Sequence, residues 1–260
     1  MSATVTIYKI GGNVVDNPEA LDQFLNDFAR IVGPKVLVHG GGKEATRLSK
    51  ALGLETTMID GRRVTDRETL DVVTMVYAGL INKRIVSALQ ARAVNAIGLT
   101  GADANVILAT RRKPNPVDYG FVGDIDPADI DTDLIESFLA QGITPVFCAI
   151  NHDGEGSLLN CNADSVAASI AKAMARVTNS RLVYCFEKDG VLADVDDPKT
   201  LIPLITPENY ETLREEGAVS AGMIPKIDNA FDAINQGVES VTIKNSVNLT
   251  KPIVTIIALS

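Results

Sequence analysis

Tryptophan is absent from this 260-residue chain, and aromatic residues make up only 5% of it. Platforms for single-stranded nucleic acid need aromatic faces on which bases stack, so that class of function starts at a disadvantage. Positive charge is also scarce. Lys plus Arg total 24 against 33 Asp plus Glu, a formal net charge of −9, whereas a general nucleic-acid binder needs a basic face. Only His39 and His152 carry imidazoles, too few for a multi-histidine metal site. The three cysteines, Cys148, Cys161 and Cys185, have an odd count and no CxxC spacing. They read as buried reduced thiols rather than a disulfide frame or a zinc site. No apolar run approaches the roughly 20 residues that span a bilayer, and Lys9 and Asp16 interrupt any signal-peptide core. The expectation is a cytoplasmic protein with neither nucleic-acid nor membrane partners.

What is present is a core. Hydrophobic residues are 46% of the chain and charged residues 22%, which excludes disorder. Short β-branched runs predict strands at Val5–Ile10, Lys35–His39, Ala96–Leu99, Thr144–Ile150, Leu182–Phe186, Ser240–Ile243 and Ile253–Ile257. Several are apolar at nearly every position, as strands covered on both faces are. Helical patterns lie between them. Asn17–Pro18 predicts a cap leading into Glu19–Ile31. Thr65 with Glu68 reads as a capping box opening the longest helix, to about Ala91. Further helices are expected from Asp164 to Arg176, from Thr206–Pro207 to Gly217, and from Ile224 to Gln236. The alternation predicts an α/β three-layer αβα sandwich with a mainly parallel central sheet. Pro114, Pro116, Gly120, Gly123 and Pro127 mark residues 113–131 as a long loop or small hairpin. A soft boundary near Asn179–Ser180 divides the chain into lobes at 1–180 and 181–260.

Two glycine clusters follow the first two strands, Gly11-Gly12 and Gly40-Gly41-Gly42. Glycine lets a backbone N–H approach a ligand closely. At the C-terminal edge of parallel strands, beside helix N-termini, such amides form an anion cradle, although plain turn chemistry explains either cluster alone. Neither is a Walker A loop, and GxGxxG is missing. Lys9 ends a buried-looking strand beside the first cluster, where a lysine is costly without an anion. Lys226 sits in the first turn of the last helix, where the helix dipole disfavours a cation by up to ~1 kcal/mol unless the two share a phosphate. Asn160, Asn162 and Asp164 alternate, which on an extended segment puts two amides and a carboxylate on one side; a helix cap is the alternative. Arg63, near a helix start, can fork onto a carboxylate.

Taken in order, Lys9-Ile-Gly-Gly-Asn13, Val38-His-Gly-Gly-Gly42, Gly61-x-Arg63-Val-Thr65, Asn82-Lys83, Asn160-x-Asn162-Ala-Asp164 and Gly222-Met-Ile-x-Lys226 resemble the amino acid kinase family, in its acylglutamate branch. The resemblance implies phosphoryl transfer from ATP, with Mg²⁺, to the γ-carboxylate of N-acetylglutamate, a step of arginine biosynthesis. N-succinylglutamate and a carrier-bound amino acid are alternative substrates, and a nucleotide or metabolite sensor is the non-enzymatic alternative. It further implies that Lys9 and Lys226 flank the transferred phosphoryl group while Asp164 orients both. Gly11, Gly12, Gly41 and Gly42 would supply amides to phosphate and carboxylate oxygens, and Arg63 and Asn160 would grip the substrate. The lobe after about Leu182 would hold the nucleotide, with Mg²⁺ on phosphates and water and no side chain singled out as a metal ligand. Cys185-Phe-Glu-Lys-Asp-Gly190 departs from the family's turn. Arginine-inhibited hexameric members carry an extra N-terminal helix; here the first strand begins by about Val5, so the expectation is an arginine-insensitive homodimer joined through the helix from Thr65.

Overall fold

The strand nearest the N-terminus lies at the centre of the sheet, not at its edge. In the computed structural model, which describes residues 4–59, 61–194, 196–219 and 223–259, β1 (Val5–Ile10) pairs in parallel with β2 (Lys35–His39) on one side and β5 (Ser180–Phe186) on the other. With β3 (Ala96–Leu99), β4 (Thr144–Cys148), β6 (Leu204–Ile205), β7 (Ser240–Asn245) and β8 (Thr255–Ile257), they form an eight-stranded sheet in the order β6-β8-β7-β5-β1-β2-β4-β3. All pairings are parallel except β7 with β8. The mainly parallel sandwich is the one the strand–helix alternation predicts. One sheet runs unbroken through β1 and β5, across the boundary expected near Asn179–Ser180.

The central strands send alternate side chains into two separate cores, the reason their runs are apolar throughout. Ile7, Val36, Val38, Phe147 and Leu182 face one core, with Ala167, Ile170 and Ala171 of α5. Tyr8, Leu37, Val146 and Cys185 face the other, with Phe24 and Phe28 of α1 and Val73, Ile85 and Leu89 of α3. The helices are α1 (Pro18–Arg30), α2 (Gly42–Ala51), α3 (Arg67–Gln90), α4 (Thr132–Ala140), α5 (Ala163–Ala175), α6 (Pro207–Glu215) and α7 (Ile224–Asn235).

Most starts carry the punctuation expected of them. The Asn17 side chain accepts from the amides of Glu19 and Ala20, with Pro18 at the first position, and Thr206 with Asn209 closes a reciprocal box at α6. The start of α3 differs from expectation. Asp66 is the cap, accepting from the Thr69 amide at 2.8 Å. Thr65 cannot serve, because its backbone is already bonded to Tyr119 and Phe121 of the following loop. Residues Met75–Ile81 within α3 are wound as a π-helix. By length and composition α3 would pass as a membrane span, contrary to the reading of its sequence, but its apolar stripe lies buried against the sheet. The glycine- and proline-rich stretch is a small hairpin, Thr110–Arg111 with Gly123–Asp124. Helices α2 and α4 and the ribbon Ile150–His152 with Leu158–Asn160 went unread in the sequence.

Candidate active site

The order of the strands places the site. The chain runs from β1 to β2, out to the edge strand β3, back to β4 between them, and then crosses to β5 on the other side of β1. Ligands in open α/β sheets gather outside the strand C-termini where winding reverses. Here that edge holds Gly11 and Gly12 after β1, Gly40 to Gly42 after β2, and Phe186 and Glu187 at the end of β5. These line a cavity of about 560 Å³ together with Lys9, Lys43, Arg62, Arg63, Arg112, Asn160 and Lys226.

The charges resolve an apparent conflict with the acidic composition. Among the described residues, six cationic side chains (Lys9, Lys43, Arg62, Arg63, Arg112 and Lys226) and one acidic one (Glu187) line the cavity. A chain of net charge −9 thus presents a locally positive pocket, which concentrates anions.

Lys9 and Asp164 are brought together from residues 155 positions apart. Lys9 Nζ lies 2.6 Å from Asp164 Oδ1, with side-chain exposures of 8% and 19%. The pair forms because β1 ends where α5 begins. Asn162 caps α5 by accepting from the amides of Asp164 and Ser165 at 2.8 and 3.1 Å, which leaves Asp164 in the first turn and free to turn toward Lys9. The alternating polar triplet therefore does not share one extended face. The strand ends at Asn160, Asn162 turns the chain into the helix, and Asp164 serves the lysine.

Lys226, near the N-terminus of α7, shares the Phe186 ring with Lys9. Its Nζ is 3.8 Å from the ring centroid, and Lys9 Nζ is 5.1 Å from it. The aromatic ring stabilises both cations and brings them to one place. Burial lowers the Lys226 pKa from the ordinary 10.5; the Asp164 charge opposes that shift, Lys9 adds to it, and Glu187 opposes it. Gly222, the first residue of that motif, lies outside the described residues.

Arg63 is buried and braced. Its Nη2 donates to Gly42 O and Thr46 Oγ1, each at 2.8 Å. It therefore steadies the second glycine cluster as well as facing the cavity. Asn160 Nδ2 donates to Thr65 Oγ1 at 3.0 Å, the link that gives Thr65 its place. Gly11 departs from the role expected of it. Its N–H donates to Cys185 O at 3.2 Å as an extension of the sheet, so this amide is not available to an anion. Gly12 and Gly42, as first residues of helical turns, have N–H groups without intrahelical acceptors. All three cysteines are buried and unpaired, with thiols pushed up to about 12 by burial. They are buried free thiols, as their spacing predicted.

Residues 4–245 match the amino acid kinase family model. The chain belongs to the amino acid kinase family. It is 53% identical over 246 residues to the acetylglutamate kinase of Cytophaga hutchinsonii, covering 94% of this chain and 92% of that protein. It is 52% identical to that of Phocaeicola vulgatus, covering 94% of each chain, and 41% identical to that of Methanopyrus kandleri, covering 92% of this chain and 94% of that one. Among solved structures, N-acetylglutamate synthase from Neisseria gonorrhoeae superposes with a TM-score of 0.82 at 23% identity, covering 99% of this chain and 60% of that one. Carbamate kinase from Giardia lamblia gives 0.69 at 13% identity, covering 100% and 99%. These two likenesses establish the shared fold.

Phe186, Lys43 and Arg112 also line the cavity and were passed over in the sequence. The rule that located the glycines would have found Phe186 too, since it ends β5 at the same edge. Arg112 had no such signal, because its loop reaches the site only through the tertiary fold.

Proposed function

We propose that the protein is an ATP-dependent kinase that phosphorylates the γ-carboxylate of N-acetylglutamate, giving an acyl phosphate and ADP, the arginine-biosynthetic reaction. The observation that carries this reading is the pair of ammonium groups, Lys9 and Lys226, gathered at the Phe186 ring with Asp164 paired to Lys9. Phosphoryl transfer asks little covalent work of a protein. It asks for in-line positioning and neutralisation of charge spread over the phosphoryl oxygens. A γ-carboxylate is already ionised at neutral pH, so its oxygen attacks the γ-phosphorus without a base, as the bond to the ADP oxygen breaks. In this reading the two lysines bracket the moving group. Asp164 pairs with Lys9 and orients it rather than acting as a base. Gly12, Gly41 and Gly42 offer amides, and Arg63 and Asn160 grip the acylglutamate in the lobe up to residue 180. The nucleotide occupies the lobe from 181 onward.

Mg²⁺ supplies further neutralisation when it arrives on the nucleotide phosphates. Among the described residues no three His, Cys, Asp or Glu side chains cluster as a ligand set. The chemistry of the cavity fits an ion that would be held by phosphates and water, with Glu187 the one lining carboxylate among the described residues that could assist.

A second reading concerns the acyl group. Arg112 lines the same cavity, next to Val122 and Cys161. Its Nε donates to Asp124 at 2.9 Å, and its Nη1 has no hydrogen-bond partner. A guanidinium there favours an acyl arm ending in a carboxylate, as in N-succinylglutamate. A cytoplasmic homodimer joined along α3 completes the proposal. In support, Met75 on that helix is 53% exposed and a shallow groove runs along Gly79, Leu80 and Ala88. A coupled ADP-release assay with N-acetyl- and N-succinylglutamate tests the whole. Turnover of either supports the kinase, their kcat/KM ratio assigns the acyl group, and turnover of neither ends the reading.

A further inference from the structure

The dipeptide Asn82-Lys83 belongs to the family-like pattern, yet it does not line the cavity. It follows the π-wound segment Met75–Ile81 directly. π-helical turns recur at functional sites, so the contacts of this one are informative.

His39, the last residue of β2, is fully buried. Its Nδ1 lies 2.8 Å from Gly40 O. A carbonyl oxygen only accepts, so Nδ1 carries the hydrogen. Its Nε2 lies 3.1 Å from Asn82 Nδ2, which also donates to Val146 O of β4 at 2.9 Å. The Asn82 amide nitrogen spends one hydrogen on each, and Nε2 is the acceptor. The reverse orientation of the amide would set its oxygen against the Val146 carbonyl. Lys83 Nζ closes the arrangement, donating to Asn82 Oδ1 at 3.2 Å and to Gly98 O of β3 at 3.0 Å. A Cβ at Gly98 would lie 1.8 Å from Asn82 Oδ1, so β3 meets this amide at a distance only glycine permits.

The same segment holds the next glycine by contact. A Cβ on Gly41 would lie 2.3 Å from Ile81 Cδ1 and 3.0 Å from Tyr77 Cδ1, both on the π turn. Gly42 O is held by Arg63. Each of the three glycines is therefore fixed by a different group. Because the trans peptide is planar, turning the Gly40 carbonyl toward the imidazole turns the Gly41 N–H the opposite way.

We propose that His39, locked as the neutral Nδ1–H tautomer by Asn82 and the π segment of α3, is a positioning residue that sets the direction of the Gly41 amide. This rests on the reading of Gly41 as a donor to the reacting anion. Oxyanion donors act only when aimed where charge develops, so the device affects kcat more than KM.

The test uses the fact that the chain has two histidines. Nitrogen-15 NMR of the imidazole rings should show His39 as the Nδ1–H tautomer. Asn82→Asp, which replaces the donor by an acceptor, should move that proton to Nε2 or charge the ring. It should lower kcat by about tenfold while the KM values for ATP and the acylglutamate change less. Lys83→Met, at an exposed position, should give a smaller loss in the same direction and serves if Asn82→Asp does not fold. An Nε2–H tautomer in the unaltered protein, or a folded Asn82→Asp with full kcat, overturns the proposal. An unaltered protein that turns over neither acylglutamate would instead fault the reading of the site, and leaves the tautomer measurement to decide this one.

Discussion

Lys9 Nζ lies 2.6 Å from Asp164 Oδ1, and both side chains are largely withdrawn from water. A buried charge left without its partner is strongly disfavoured, by about 3–5 kcal/mol where such pairs have been broken. Asp164→Asn leaves Lys9 in that state, beside Phe186 and facing Lys226. The variant should lose stability and about 10²-fold in kcat, with ATP affinity changing far less. Thermal melts and the coupled ADP-release assay measure the two effects separately. A variant that matches the unaltered enzyme in kcat would remove Asp164 from the mechanism.

Lys226 should show itself in the alkaline limb of the pH–rate profile. Burial lowers its pKa from 10.5, so its positive charge is lost at a lower pH than for a free lysine, and activity should fall as pH rises, before 10.5 is reached. Arginine stays charged throughout this range. Lys226→Arg should therefore lose the limb while keeping a reduced rate, and Lys226→Ala should cut kcat much more than it weakens ATP binding. Equal losses in rate and binding would assign Lys226 a purely binding role.

The two glycine clusters should respond differently to the same small change. At Gly41 a methyl group would strike Ile81 and Tyr77, both buried, and overpacking of this kind costs about 1–3 kcal/mol. At Gly12 the nearest atom is Asp16 Oδ2 at 3.8 Å, an ordinary contact. Gly41→Ala should lower both the melting temperature and the rate. Gly12→Ala should keep its melting temperature and raise the KM for ATP, because the space it fills belongs to the ligand. A Gly12→Ala enzyme with unchanged kinetics would take that loop out of the phosphate site.

Much of this site was legible because local rules and tertiary geometry agree. Buried parallel strands are apolar at every position, and glycines after their C-termini mark the ligand edge, so Lys9, Gly12 and Gly42 could be placed from the pattern alone. Gly11 could not be judged that way: whether its amide faces a ligand or the neighbouring strand depends on β5, whose Cys185, 174 positions further along the chain, takes it. The cap of α3 slipped by one residue because Thr65 is recruited by Asn160 and by the hairpin loop, partners invisible at short range. Asn160, Asn162 and Asp164 alternate like one strand face, but Asn162 turns the chain into a helix and separates their tasks. Helix α2 escaped notice because glycines open it and its buried face is narrow, reduced to Ala45 and Ser49. Phe186 was within reach of the rule that found the glycines, whereas Arg112 reaches the cavity only when its loop folds over the sheet edge.

Acid should destabilise the fold through His39 in particular. Its imidazole is held neutral, with a pKa lowered by burial from 6.5 to about 4; the Gly40 hydrogen bond opposes the shift and Lys83 adds to it. The unfolded chain takes up a proton at 6.5 and the folded chain only near 4, so between these values the unfolded state binds more protons and stability falls as pH falls. The contribution is complete above 6.5 and lost toward 4, an interval worth about 3 kcal/mol. Denaturant unfolding measured at intervals from pH 7 to 4 should show this slope. His39→Gln cannot titrate, so whatever its absolute stability, its slope in that window should be flatter. Parallel slopes in the two proteins would mean that His39 takes up its proton without unfolding, and that the buried contacts with Gly40 and Asn82 do not hold the ring neutral.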